Sequence, residues 1–351
     1  MNIVLLGNGG LAPALRKRGH VVFTVGSMGT GYDGLLTHPH TLDAFLRLLD
    51  RAGFTPEALV FADEGCLPVV FGLEQLPFPL IFYSIDTFCN PWHIPYAHAF
   101  DAILVAQKDF LPLFTQEGHD AAWFPLFARR DWEEGAEETP EQWLEARDIP
   151  VAFVGTLRPK NIPDRLPFLQ AFRRLHPLFF TQGNYAPIFQ RARIVLNQSA
   201  VSEVNYRCFE SMTCGAALLA DCVGHGFTEL FAPGANVLPL YPRCNAPAAV
   251  AVARHWLERP RRLAELALAG TRLVREKHSD TARADSLSRL LHRLAEERAP
   301  ARRLAERERH KPFLGAAFGG IAAELGPELA DLKRLYCNLC QAYWQSKPEP
   351  K

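Results

Sequence analysis

The chain has no surplus of either charge: Lys and Arg together number 38, and so do Asp and Glu. A balanced chain sets up no long-range field that gathers nucleic acid or an anionic membrane, so any anionic ligand must be held by local groups. Long apolar runs are missing as well, and none approaches the roughly 18 residues that span a bilayer. The start, Met1-Asn-Ile-Val-Leu-Leu, has neither the basic residues nor the apolar core of a signal peptide. These absences predict a soluble, cytoplasmic protein without a transmembrane segment. Cysteine is present eight times but without a framework, several of the eight lying inside apolar runs as reduced core thiols do. Cys337 and Cys340 form the one CxxC, with no second pair and no paired histidines, which argues against a zinc or redox role.

What is present is an ordinary globular composition, 48% apolar and 22% charged over 351 residues, enough for two cores of roughly 150 residues each. "NIVLLG", a glycine turn, the helix "LAPALRKRG" and the strand "HVVFTVG" open an alternating pattern. It continues through "ALVFA", "LIFYSI" and "AILVA". Near-continuous apolar strands separated by helices indicate a parallel sheet covered on both faces. The acid-rich stretch from Arg129 to Asp148 suits a surface connector. After it the pattern restarts: "PVAFVGTL", "RLPFLQAFRRL", "PLFFTQG", "YAPIFQRA", "RIVLNQS", "YRCFESMTCG", "AALLADC" and a last strand, "ANVLPLY". The expected division is an N-terminal Rossmann-like domain over 1–148, a second over 149–299, and a helical tail over 300–351 that packs back on the core. After Pro247, alternating Arg and Glu mark solvated helix faces with i,i+4 pairs rather than a nucleic-acid surface.

In open α/β sheets ligands bind at the carboxyl ends of the strands, so the strand-to-helix loops are where chemistry is sought. "GNGG" matches only part of a dinucleotide fingerprint, because Pro13 follows early and no acid ends the second strand. No NAD site is expected, but Gly9 and Gly10 let a substrate approach the backbone. In "FVGTLRPKN" the strand ends at Gly155, and Arg158 and Lys160 follow as two cations able to clamp a diphosphate, or as solvated loop residues. Ser202 or Asn205 can cap the helix that begins at Tyr206, whose first N–H groups favour an anion. Arg207 and Glu210, three apart, share a face of that helix. In the first domain Asp86 follows an apolar strand, with Trp92 and His93 close behind. An acid or imidazole there can take a proton from an attacking hydroxyl and an indole can stack on a sugar, or all three can simply be turn and packing residues. No two aspartates stand at i,i+2, so no Asp-x-Asp metal clamp is present and no metal or other cofactor is expected.

"RIVLNQSAVSEVNYRCFESMTCGAALLADCVGHGFTELFAPGANVLPLY", with "FVGTLRP" before it and "KHSDTARADSLSRLL" after it, resembles the group-1 glycosyltransferases, and within them the CgeB-like proteins named for spore maturation. The likeness covers about residues 150–291, its most specific part being Asn-x-Arg-x-Phe-Glu-x-x-x-Cys-Gly followed by Gly-Phe-x-Glu-Leu-Phe-x-Pro-Gly. It implies the GT-B fold, two Rossmann-like doubly wound domains facing a cleft. The donor, a nucleotide-diphosphate sugar, would bind the second domain and an acceptor (glycan, protein or small molecule) the first. It further implies Glu210 at the donor ribose, Arg158 and Lys160 at the diphosphate, and Asn205, Tyr206 and Arg207 at phosphate and sugar. His225 and Gly226, in "GHGFTEL", fall where related enzymes touch the donor, and Gly9, Gly10 and Trp92 lie on the acceptor side. Retaining relatives carry a glutamate eight positions before the one at Glu210; here that position is Ser202, with Glu203 one place off. A metal-independent hexosyltransferase is the expectation, a non-catalytic binding or assembly protein and a nucleotide-sugar epimerase being the alternatives.

Overall fold

The computed structural model describes residues 1–129, 138–157 and 162–345. Apolar runs bounded by glycine or turn residues become strands: β1 (Asn2–Gly7), β2 (Val21–Gly26), β3 (Gly34–Leu35), β4 (His40–Thr41), β5 (Ala58–Ala62), β6 (Val70–Phe71), β7 (Leu80–Ser84), β8 (Ala102–Val105) and β9 (Ala121–Trp123), then β10 (Ile149–Val154), β11 (Phe179–Thr181), β12 (Ala192–Asn197) and β13 (Ala217–Ala220). The α-helices in the first stretch are α1 (Ala12–Lys17), α2 (Leu42–Arg51), α3 (His93–Tyr96) and α4 (Leu111–Thr115). Next come α5 (Pro140–Ala146), α6 (Arg165–Leu175), α7 (Ala186–Phe189), α8 (Tyr206–Thr213), α9 (Phe227–Leu230), α10 (Ala246–Leu257) and α11 (Pro260–Lys277). The chain closes with α12 (Asp280–Glu296), α13 (Ala299–Glu324) and α14 (Ala330–Gln345). Among the described residues no helix is long and apolar enough to cross a membrane.

A seven-stranded sheet runs in the order β3-β2-β1-β5-β7-β8-β9 and a four-stranded one in the order β11-β10-β12-β13, both parallel throughout. In the larger sheet the order reverses between β1 and β5, the kind of switch point where loops diverge and leave room for a ligand. The sequence strand "ANVLPLY" does not extend the smaller sheet. Leu238 N–H still donates to Leu218 O and Tyr241 N–H to Ala220 O, but only isolated bridges form, because Pro239 and Pro242 have no N–H to carry a ladder on.

The chain divides into two compact units, Met1–Phe124 with Arg283–Lys351, and Pro125–Ala282. This differs from boundaries at 148 and 299, and packing supplies the reason. The acid-rich stretch holds α5, capped by a Thr139–Gln142 capping box. It buries Trp143 completely, and the indole Nε1–H donates to Gly215 O at 2.6 Å inside the second unit. A surface-like composition thus conceals one core residue. The helices after 299 belong to the first unit: Leu314, Phe318 and Ile321, spaced i, i+4, i+7 on α13, share a core with Leu59, Phe61, Leu80, Phe82, Ile103 and Val105 of the sheet. Burying each such side chain is worth about 1.5–3 kcal/mol, which fastens the C-terminal helices to that sheet face.

Candidate functional site

In the second unit, groups collect at the carboxyl ends of β10, β12 and β13. α8 begins at Tyr206, and its second residue, Arg207, reaches back over the sheet. Arg207 Nε–H donates to Val154 O at 2.9 Å, Nη1–H donates to Asn197 Oδ1 at 2.7 Å, and the guanidinium lies 4.4 Å from the Phe153 ring centroid. Its polar partners are therefore a carbonyl and an amide, with no carboxylate at ion-pair distance among the described residues. Burial holds its pKa below the usual guanidinium value. Gly155 is glycine because a methyl group there would collide with Arg207 Nη2. Sequence reasoning passed over Arg165, which stands on the amphipathic helix α6. Its Nη1–H donates to Thr156 O at 3.1 Å and Nη2–H to Gln198 O at 3.0 Å, so it joins the loops after β10 and β12. Burial, and next the charge of Arg207, push Arg165 down to about 10. Two guanidiniums that repel each other, Arg165 buried and Arg207 half-buried, constitute a local cationic site in a chain of zero net charge.

The loops around them are held by acids that use their oxygens inwardly. Glu203, 8% exposed, accepts from Ala200 N–H at 2.8 Å and Val201 N–H at 2.6 Å, one on each oxygen. It is thus turned onto its own loop, and the structure gives no support for Glu203 standing in for the glutamate of retaining relatives. Asp221 accepts from Ser199 N–H at 3.0 Å and Ser199 Oγ–H at 2.7 Å. Gly224 N–H donates to Ser202 O at 3.0 Å, stitching the "GHG" loop to this one. His225 and Gly226 follow with φ of +55° and +80°, two left-handed residues that turn the chain into α9. Asn205 occupies the cap position of α8 without a side-chain cap bond, its Oδ1 lying nearer the Cys208 thiol. Tyr206 sets its ring edge-on to Phe127, with the Arg129 guanidinium 6.0 Å from the ring centroid. Glu210 is one turn further along α8 than Arg207 and half-buried. Arg158 and Lys160 lie outside the described residues.

In the first unit, Gly9 and Gly10 form a 3-10 turn after β1, where Gly10 N–H donates to Asn8 Oδ1 at 3.0 Å. Asn8 N–H reaches Ala62 O at 2.8 Å, which joins this turn to the end of β5. Asp86, half-buried, follows β7, and its N–H donates to Asp63 Oδ2 at 2.8 Å. Trp92 and His93 behave differently from the sequence expectation. Trp92 is 3% and His93 0% exposed, packed edge to face on each other and, for His93, on Phe82. Burial pushes His93 down to about 3, so the ring is neutral at ordinary pH. Neither ring offers a face to an acceptor; large aromatics in a Pro-rich loop fill the space beside the sheet instead. Asp63 carried the same signal as Asp86, an acid directly after an apolar strand, and was missed because its neighbours suggested no chemistry.

Comparisons with known proteins bear on the fold and on the stretch 140–289. Residues 140–289 match the model of the family described as glycosyl transferase-like. A search of curated proteins gives no match. Among solved structures, the chain is similar to sucrose-phosphate synthase of Thermosynechococcus elongatus (TM-score 0.62, 13% identity, 85% of this chain and 100% of that one). It is also similar to a glycosyltransferase from Rickettsia africae (TM-score 0.60, 11% identity, 84% and 98%). HepE of Anabaena, solved in complex with UDP-glucose, aligns with TM-score 0.56 and 13% identity over 84% and 100%. Identities this low bear on the fold alone. The chain therefore has the GT-B fold of two Rossmann-like units with a helical C-terminal portion, and its stretch 140–289 is similar to the glycosyl transferase-like family.

Proposed function

We propose that this protein is a glycosyltransferase that moves a hexosyl group from a nucleotide-diphosphate donor to an acceptor hydroxyl, without a metal ion, and that its kin are the CgeB-like proteins. The observation that carries the reading is the Arg207–Arg165 pair at the carboxyl edge of the second sheet, held in place by carbonyls and an amide rather than by carboxylates. Transfer of a sugar leaves a nucleoside diphosphate, whose charge grows as the glycosidic bond breaks. Fixed guanidiniums meet that charge without reorganising, and each charge-assisted hydrogen bond to it is worth about 1.5–3 kcal/mol. An arriving diphosphate also offsets the Arg207 charge, which adds to burial in holding Arg165 down. In this reading Glu210, one turn further along α8 than Arg207, accepts from ribose hydroxyls, and Arg158 and Lys160, which follow Gly155 in the sequence, add cations to the diphosphate. Asp86 is the candidate base of the acceptor side, the burial of His93 having removed the other. HepE, which shares the fold and was solved with UDP-glucose, supports a sugar nucleotide of that class as donor.

The test is calorimetry with UDP-, GDP-, ADP- and TDP-sugars, followed by assay for released nucleotide. Glu210→Ala is expected to weaken the preferred donor at least tenfold while leaving the melting temperature unchanged. Equal affinity in the variant, or no binding of any sugar nucleotide by the parent, sinks the proposal; binding without turnover turns it toward a non-catalytic protein, and turnover of donor alone into its epimer toward an epimerase.

A further inference from the structure

The carboxyl edge of the first sheet is organised by one short segment, Ala62 to Gly65. Ala62 O accepts the Asn8 N–H that fixes the glycine turn after β1. A methyl on Gly7 would strike that same carbonyl, so the approach depends on glycine. Glu64 Oε1 accepts from Ser27 N–H at 3.0 Å and from Ser27 Oγ–H at 2.6 Å, while Oε2 accepts from Tyr32 Oη–H at 3.1 Å; this closes both ends of the loop after β2. Asp63 does the equivalent for the loop after β7. Its side chain is 1% exposed, and it accepts from Gly65 N–H at 2.8 Å on Oδ1 and from Asp86 N–H at 2.8 Å on Oδ2.

Behind Asp63 runs a buried polar chain that the proposed chemistry has not used. His93 Nε2 has no hydrogen-bond partner and lies 3.8 Å from Asp63 Oδ2. His93 Nδ1 is 2.8 Å from Ser84 Oγ, which is 2.6 Å from Thr87 Oγ1. Thr87 is the residue after Asp86, so the chain leaves Asp63 and returns to the same loop on its other side. A solvated carboxylate would hold a loop loosely; this one is desolvated, with its two oxygens each taken by a backbone N–H and the buried His93 ring beside it. Burial raises the pKa of Asp63, the backbone donors working against it.

We propose that Asp63 is a positioning residue for Asp86, fixing the main chain of the acceptor-side loop from beneath, with His93 and Ser84 as its support. The inference rests on the reading of Asp86 as the base that receives the acceptor proton. Asp63 itself touches no reacting atom. A buried acid of purely structural value would alter stability alone, whereas a positioning acid alters the rate and the pH at which the base works.

The experiment uses Asp63→Asn, which keeps the shape and one acceptor oxygen but presents an amide to Asp86 N–H. Amide exchange at Asp86 and Gly65 is expected to rise at least tenfold. With the sugar nucleotide that the wild-type chain turns over best, kcat is expected to fall about 100-fold, the cost of a misplacement near 1 Å, while KM for that nucleotide stays within twofold and the acid limb of the kcat profile moves. Unchanged exchange overturns the proposal, and so does faster exchange with unchanged kcat and pH profile. If the wild-type chain turns over no sugar nucleotide, the functional proposal fails separately, and with it the role of Asp86, while exchange still reports whether Asp63 holds the loop. Ser84→Ala removes the hydroxyl that orients His93 and leaves Asp63 intact. It is expected to give the same changes at about tenfold in kcat, and covers the case in which Asp63→Asn does not fold.

Discussion

Replacing Phe318 by Ala removes a ring that is 1% exposed and lies amid Phe71, Tyr336, Tyr343 and Tyr96, at centroid distances of 5.5, 6.1, 5.3 and 6.1 Å. Two effects add. The ring's transfer from water is lost, and a cavity remains between α13, α14, α3 and β6 because rigid aromatic neighbours collapse poorly into it. Together they cost about 3–5 kcal/mol, a drop in melting temperature on the order of 10 °C. Phe318→Leu, which refills most of the space, is expected to cost about 1 kcal/mol. Leu329, 44% exposed on the same C-terminal segment, is expected to cost about 0.5 kcal/mol or less on change to Ala. Urea unfolding followed by circular dichroism gives the totals, and amide exchange gives the location: strands β5, β7 and β8 lose protection while β12 and β13 keep theirs. A loss under about 1 kcal/mol, or equal loss of protection in β12 and β13, would refute the assignment of α13 to the first unit's core.

Gly155→Ala forces Arg207 off its anchors, since the added methyl meets Nη2; sugar-nucleotide affinity measured by calorimetry is expected to fall at least tenfold, one to two charge-assisted bonds, and full affinity would show that Arg207 is not at the diphosphate. His93 bears on acid stability. Its folded value of about 3 lies below the unfolded value near 6.5, so its contribution is complete above that value and drains away as pH falls toward 3. Asp63, 3.8 Å from Nε2, meets the ring once it is protonated and softens the slope. His93→Asn is therefore expected to flatten the stability curve between about pH 6.5 and 4, and parallel curves for variant and parent in urea titrations would contradict this.

The strands and helices were legible where local pattern and burial agree. "RLPFLQAFRRL" is α6 and "ALVFA" is β5, residue for residue, because an amphipathic period and a fully apolar run each fit one environment. Sequence failed where the decisive fact is what the topology brings near. Arg165 looked like one more cation on a helix face, and only the meeting of Thr156 and Gln198 makes it a tie between loops. Glu203 was judged by its spacing from Glu210, although its two oxygens are used within five residues of chain. Trp92 and His93 could have been surface or core on composition alone; the space beside Phe82 decided it. At "ANVLPLY" hydrophobicity predicted a strand that proline's missing N–H prevents.

The first unit is built from two pieces of chain separated by the whole of the second. During synthesis, residues 1–124 leave the ribosome before the helix that covers Phe71 and Tyr96, and that part of the core stays open until Leu314 to Tyr336 emerge. The second unit, contiguous in sequence, has all its parts earlier. At a translation rate of about 5–20 residues per second the wait is on the order of ten seconds or more. Over that interval the open part of the core must be shielded by a chaperone or by provisional packing, so the last helices act as a closing step in biogenesis. A nonsense codon shortly before Leu314 would strand every molecule at that stage, because Leu314, Phe318 and Ile321 are lost from the core together.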